Sequence, residues 1–251
     1  MLGIERRRKI MERLNADKKV YVSDLSKCFG VTEETIRRDL EKLENQDFLR
    51  RSYGGAVLNE HTNADLSFVK RTSINTENKD VIAEKAAGFI RDGMTIMADS
   101  STTCLALLQH IKQRKNLTII TNSVRLMNDF VNSPFTMISS GGVLQAHSFA
   151  LTGASASATL RKYYVDLAIL SCKGMDRQRG LMESTEAESA IKQVMLEQAQ
   201  KTILLADHSK FDQTAFVKTC DFSAISTVIT DISPNNEWID FLNKQQIDLI
   251  Y

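Results

Sequence analysis

At 251 residues the chain exceeds the usual size of a single core, so two domains are expected. Its 32 Lys and Arg against 31 Asp and Glu leave a net charge of +1, which excludes a generic polycation as the source of any nucleic-acid affinity. No apolar run of membrane-spanning length and no signal-peptide pattern is present, so a cytoplasmic protein with no membrane partner is expected. Cys28, Cys104, Cys172 and Cys220 are far apart, as are His61, His110, His147 and His208, which argues against a metal centre and against a hydrolase triad.

From the N-terminus, the run Arg6-Arg7-Arg8-Lys9 with Ile10 and Leu14 predicts a short basic helix, and Ser23 is expected to cap a second helix carrying Leu25 and Phe29. Gly30 closes that helix. Thr32 is placed to cap a third, with Glu33 and Glu34 complementing the positive end of its dipole. At 100° per residue Ile36, Leu40 and Leu43 share one buried stripe. Glu34 and Arg38 then point almost directly away from it, with Thr35 and Arg37 on the flanks, where a helix lying in a major groove needs polar groups. Glu34 reads equally as an acceptor for a cytosine amino group or as a plain dipole-complementing acid. Downstream, Phe48-Leu49-Arg50-Arg51 and Ser52-Tyr53-Gly54-Gly55-Ala56-Val57 predict two strands about a tight turn, a wing whose Arg50 and Arg51 would meet a DNA backbone. Residues 1–58 hold thirteen Lys and Arg against ten Asp and Glu, so the modest basic excess lies with these helices.

Arg6 followed by Ile10 and Leu14, then Thr32, Thr35, Ile36, Arg37, Arg38, Asp39 and Leu40, resembles the signature of the DeoR-type bacterial transcriptional regulators. Gly54-Gly55-Ala56 is similar to that family's wing, with Tyr53 where many members have His. The resemblance implies a winged helix-turn-helix over residues 1–58, with Thr32, Glu34, Thr35, Arg37, Arg38, Arg50, Arg51 and Tyr53 as DNA-contacting residues.

Residues 59–78 are polar and read as a linker, in which Leu66, Phe68 and Val69 could dock on either domain. From residue 79 to 251, helical and strand-like segments alternate, predicting an α/β domain with a largely parallel sheet. Val81–Arg91, Thr103–Lys112, Glu186–Gln200 and Asn236–Lys244 read as helices, the third opened by a Thr185/Glu188 capping box. Met94–Ala98, Leu117–Thr121, Phe135–Ser139, Val165–Ser171, Thr202–Ala206 and Ala224–Thr230 read as strands. Open parallel sheets bind ligands outside the carboxyl ends of their strands. Asp99-Ser100-Ser101-Thr102-Thr103 lies at such an end, and its hydroxyls with the first helical N–H groups suit a phosphate. The same residues also suit a hydroxyl-rich helix cap, and Asp99 suits either sugar hydroxyls or holding the loop.

The family's effector domain is similar to the ribose-5-phosphate isomerase fold. By resemblance Asp99–Thr103 matches a loop usually written Asp-Ser-Gly-Thr-Thr, with Ser101 replacing the glycine. Thr121-Asn122-Ser123 and the pair Gly141-Gly142 match further ligand loops, although ordinary turn chemistry accounts for both equally well. Glu183, Glu186 and Glu188 could meet sugar hydroxyls. The resemblance offers Lys210 as a cation for phosphate, while Lys173 stands where members often carry a neutral residue. The effector residues expected are therefore Asp99, Ser100, Ser101, Thr102, Thr103, Asn122, Ser123, Gly141, Gly142, Lys173, Glu186 and Lys210.

The implied function is sequence-specific binding of operator DNA, released by a phosphorylated sugar or sugar derivative, by a homo-oligomeric (dimeric or tetrameric) repressor of carbohydrate-metabolism genes that needs no cofactor. Two alternatives stand beside it. One is a sugar-phosphate isomerase using Glu186 or Glu188 as base; the other is an activator or a nucleoid-type binder.

Overall fold

The computed structural model describes residues 3–44, 49–58 and 66–251; Phe48 of the expected wing, and residues 59–65 of the expected linker with His61, lie outside the described residues. The chain divides into two compact units, Met1–Leu66 and Ser67–Tyr251.

The first unit runs α1 (Gly3–Asp17), β1 (Lys19–Tyr21), α2 (Val22–Phe29), α3 (Glu33–Glu44), β2 (Leu49–Ser52) and β3 (Gly55–Leu58). Its strands form an antiparallel sheet in the order β1-β3-β2. Ile10 and Leu14 of α1, Leu25 of α2, and Ile36, Leu40 and Leu43 of α3 close over Leu49 and Ala56 of the sheet in one apolar core. Gly55 is required where β3 meets β1, because a Cβ there would stand 2.0 Å from the Val20 carbonyl oxygen. Ser23 does not cap α2. That helix starts at Val22 straight out of the strand, after an extended Tyr21 with no side-chain cap, so Ser23 falls inside the first turn.

The second unit opens with α4 (Phe68–Thr72) and α5 (Thr76–Ala87), then β4 (Thr95–Ala98), α6 (Thr102–His110), β5 (Thr118–Thr121), α7 (Val124–Asp129), β6 (Thr136–Ser139), β7 (Val143–Gln145), β8 (Ala150–Thr152) and α8 (Ala154–Leu160). It continues through β9 (Val165–Leu170), β10 (Gly174–Asp176), β11 (Gly180–Glu183), α9 (Glu186–Glu197), β12 (Ala199–Leu205), β13 (Val217–Cys220), β14 (Thr227–Ile229), α10 (Asn236–Lys244) and β15 (Asp248–Ile250). Seven strands form a sheet in the order β15-β14-β12-β9-β4-β5-β6, every pairing parallel. Its central strands are nearly unbroken apolar runs, as a sheet covered on both faces requires. Strand order reverses between β4 and β9, which makes the crevice beyond their carboxyl ends the switch point where such folds bind ligands.

Residues 66–78, part of the span read as linker, are already structured. Phe68 is buried in the second unit's core, its N–H donates to His147 O at 2.9 Å, and its ring meets Phe149 edge-on. Accordingly α5 begins at Thr76 rather than at Val81. The hairpin β7–β8 and the small antiparallel sheet β10-β11-β13 have no counterpart in the expected elements.

Candidate functional site

In the first unit, α3 presents the expected polar face. Thr32 Oγ1 accepts the Thr35 N–H at 3.3 Å and so caps the helix. Arg37 pairs with Glu33 at 2.6 Å and Arg38 with Glu34 at 3.3 Å, each one turn apart. The opposite face carries Asp39, buried at 3% exposure and gripped by Arg6 and Arg7 of α1. The pair ties α1 to α3 and fixes how α3 is rotated about its own axis. On the wing, Arg50 is exposed opposite Val57, whereas Arg51 is engaged by Glu44, which accepts both its backbone N–H and its guanidinium. Tyr53 stands fully exposed at the turn.

In the second unit, the switch point is built around Asp99. One carboxylate oxygen accepts the Ser101 N–H at 2.9 Å, and the other accepts the Ser171 N–H from the end of β9 at 2.9 Å. Lys192 of α9 lies 3.1 Å from the second oxygen, donates to Ser171 O at 2.6 Å and pairs with Glu183. Its three ammonium protons therefore meet three acceptors. All three side chains are buried. Burial raises the Asp99 pKa, but Lys192 and the hydrogen bonds from Ser101 and Ser171 outweigh it, and the group ends below its ordinary value. For Glu183 burial wins over Lys192, and its pKa ends raised. Burial alone would lower Lys192, yet the two carboxylates hold it above its ordinary value.

Around this knot lie the other expected residues. Ser101 Oγ caps α6 by accepting the Cys104 N–H at 3.1 Å, and Ser123 Oγ caps α7 by accepting the Leu126 N–H at 3.2 Å. The N–H groups of Thr102 and Thr103, first in α6, have no intrahelical acceptor and aim along the helix's positive end. Asn122 donates to Leu151 O at 3.2 Å, while its buried Oδ1 has no partner among the described residues, as is also true of Ser148 Oγ and Ser184 Oγ. Buried polar atoms of that kind call for a ligand or water. Lys210 is half-buried in a short 3₁₀ turn opened by Asp207, close enough to act on the buried Lys79 of α5. Burial, together with Lys210 and Arg71 and against Asp207, brings Lys79 down to about 8.

Four further expected residues have the following surroundings. Gly142 is needed for the fold itself: at φ +110° a Cβ there would stand 2.5 Å from Thr152 O and 2.8 Å from Ala156 Cβ, so the close approach is to β8 and α8. At Gly141 (φ +61°) the same added atom would meet open space. Glu186 is exposed in the first turn of α9, and it is Glu183, three residues earlier, that enters the buried knot. The Lys173 N–H closes onto Met182 O at 3.0 Å, and its side chain is half-buried. Lys192 and Lys79 were not anticipated. Among the described residues no group of three or more His, Cys, Asp and Glu could hold a metal ion, and no helix is long and apolar enough to cross a membrane.

The sequence pattern of the DeoR-like helix-turn-helix domain matches residues 6–62, and that of the DeoR C terminal sensor domain matches residues 74–232. The chain belongs to the DeoR family of transcriptional regulators. Similar relatives include an uncharacterized HTH-type transcriptional regulator of Bacillus subtilis, YulB, 39% identical over 92% of this chain and 90% of that protein. The L-fucose operon activator of Haemophilus influenzae is 33% identical (90% and 92% covered), and the glycerol-3-phosphate regulon repressor of Escherichia coli 30% identical (99% of each). Solved structures with partial likeness include a D-ribose-5-phosphate isomerase in complex with phospho-erythronic acid (16% identical, 54% of each chain, TM-score 0.42) and eIF2B beta from Chaetomium thermophilum (17%, 68% and 53%, TM-score 0.48). At these scores neither carries functional weight. Family membership makes the regulator a DNA-binding protein with a sensor domain rather than an isomerase.

Proposed function

We propose that this regulator represses carbohydrate-metabolism genes and leaves its operator when a phosphorylated sugar or sugar derivative occupies the carboxyl end of the parallel sheet. Thr32, Glu34, Thr35, Arg37 and Arg38 read the DNA, and Arg50, Arg51 and Tyr53 steady the wing on its backbone. A homodimer or tetramer would let two copies of α3 address repeated half-sites.

The observation that carries the effector assignment is the entrance of α6. There Ser100 and the capping Ser101 lead into the first N–H groups of α6, those of Thr102 and Thr103, at the strand-order reversal, an arrangement that suits phosphate, and Lys210 would supply full charge. The unpartnered Asn122 Oδ1 suits a sugar hydroxyl. Asp99 then holds the loop rather than the ligand, since its oxygens are taken by Ser101, Ser171 and Lys192. The gene class agrees with two relatives whose names concern an L-fucose operon and a glycerol-3-phosphate regulon.

The test is thermal unfolding followed by the emission of Trp238, the chain's one tryptophan, with inorganic phosphate, sugar phosphates and the unphosphorylated sugars. A ligand at 100 times its Kd stabilises by about 2.7 kcal/mol. Stabilisation by a phosphorylated member alone supports the reading; stabilisation by the free sugar alone contradicts it.

A further inference from the structure

The buried side of α3 is fixed by Ile36, Leu40 and Leu43 and by the grip of Arg6 and Arg7 on Asp39. With that face pinned, Glu34 and Arg38 lie diametrically opposite, in the half of the helix that recognition helices aim at base edges. Their side chains are 62% and 74% exposed, more than those of Glu33 and Arg37 beside them. Arg38 meets Glu34 Oε1 through Nε, which leaves the Nη1/Nη2 edge of its guanidinium with two donors and leaves the other Glu34 oxygen as an acceptor. Arg37, by contrast, spends Nη2 on Glu33 at 2.6 Å. An acid on the outermost face of a helix entering a polyanion is repelled by phosphate. It is tolerated over base edges, where donors exist for it to accept from.

We propose that Glu34 and Arg38 form one reading unit for two adjacent G·C pairs: Arg38 donates to O6 and N7 of a guanine, and Glu34 accepts from the N4 amino group of a cytosine in the neighbouring pair. This rests on the placement of α3 in the major groove. Guanine alone offers two acceptors side by side there, which fits the Arg38 fork. Cytosine offers a donor without an adjacent acceptor, whereas the N7 of adenine would face the second carboxylate oxygen. The Nε–Oε1 contact of 3.3 Å holds the two side-chain tips side by side, and stacked pairs follow one another at ~3.4 Å, so the bases the two tips would address lie in neighbouring steps. Glu34 thereby specifies a base and also aims Arg38.

The experiment is selection of sites from a randomised duplex library by the full chain, by Glu34→Gln and by Arg38→Ala, all substitutions at exposed positions. The wild type is expected to fix a guanine with a cytosine in the adjacent pair. Glu34→Gln should change that cytosine to adenine, which Gln reads, while keeping the guanine. Arg38→Ala should release the guanine. On the selected site, 7-deazaguanine at that position should weaken the wild type roughly 5- to 150-fold and leave Arg38→Ala unaffected. If Glu34→Gln selects the wild-type site and differs only in affinity, Glu34 is a dipole-complementing acid and the proposal fails while the helix remains the reader. If the wild type selects no site at all, the assignment of α3 as reader falls, and this proposal with it.

Discussion

Replacing Lys192 by Met would leave Asp99 and Glu183 buried without the ammonium they share. Removing one partner of a buried ion pair costs about 3–5 kcal/mol, because the remaining charge is neither solvated nor paired. For a unit of this size each kcal/mol moves Tm by roughly 2–4 °C, so the loss should be about 6–20 °C at neutral pH. Trp238 reports the second unit directly: it is fully buried against Phe211, Phe222 and Phe241, so its emission follows unfolding of that core. The pH dependence gives a sharper signature. Without the ammonium, burial raises both carboxyls above their ordinary values of 3.8 and 4.5. A raised carboxyl penalises the folded state only above its unfolded pKa, so the deficit should be full near about pH 7 and shrink as the pH falls toward about 4. Glu183→Gln in the same background should recover part of it. A Tm within about 2 °C of wild type at neutral pH, or a deficit that does not shrink in acid, would refute the account of this knot.

Gly142→Ala should lower Tm even in ligand-free protein, by the equivalent of about 1–3 kcal/mol, since it adds a positive-φ strain to a 2.5 Å clash with Thr152 O; an unchanged melt would return Gly142 to a ligand-contacting role. Lys210→Ala should weaken effector-induced release several-fold while operator affinity in the absence of effector is kept, as read by titration of the DNA complex. Arg50→Ala should weaken binding evenly across DNA sequences and reduce the slope of log affinity against log salt by about one, whereas Arg37→Ala should lower operator affinity without changing the far-UV circular dichroism of the full chain, to which the first unit's helices contribute.

Helix α3 was legible because its information is local: Ile36, Leu40 and Leu43 recur at helical spacing, and Thr32, Glu34 and Arg38 take their places by rotation alone. Six of the seven parallel strands were legible to within a few residues because each is a short apolar run between turn residues, whereas the three-residue edge strand β15 was not. The knot at the switch point was not. Lys192 lies between Ile191 and Val194, both buried, so by sequence it reads as an edge of an amphipathic helix; only the fold brings it to Asp99 and Glu183. Glu183 and Glu186 are indistinguishable in sequence, and the end of β11 decides which is buried. Phe68 was ambiguous for a similar reason, since its partner Phe149 sits on a hairpin turn whose three-residue strands are too short to show alternation. Gly142 is ambiguous for a physical reason as well: a glycine kept for close approach looks the same in sequence whether a ligand or, as at Thr152 O, the chain's own carbonyl is what approaches.

The central claim, that occupation of the sheet end releases DNA, is tested most directly by fluorescence polarisation of the full chain on a library-selected duplex, titrated with sugar phosphates and their unphosphorylated counterparts at fixed salt. A coupling of about 1–3 kcal/mol predicts that one phosphorylated compound lowers DNA affinity roughly 5- to 150-fold and that DNA weakens its binding by the same factor. Specific DNA binding that no phosphorylated compound changes, or release by the free sugar alone, would contradict it.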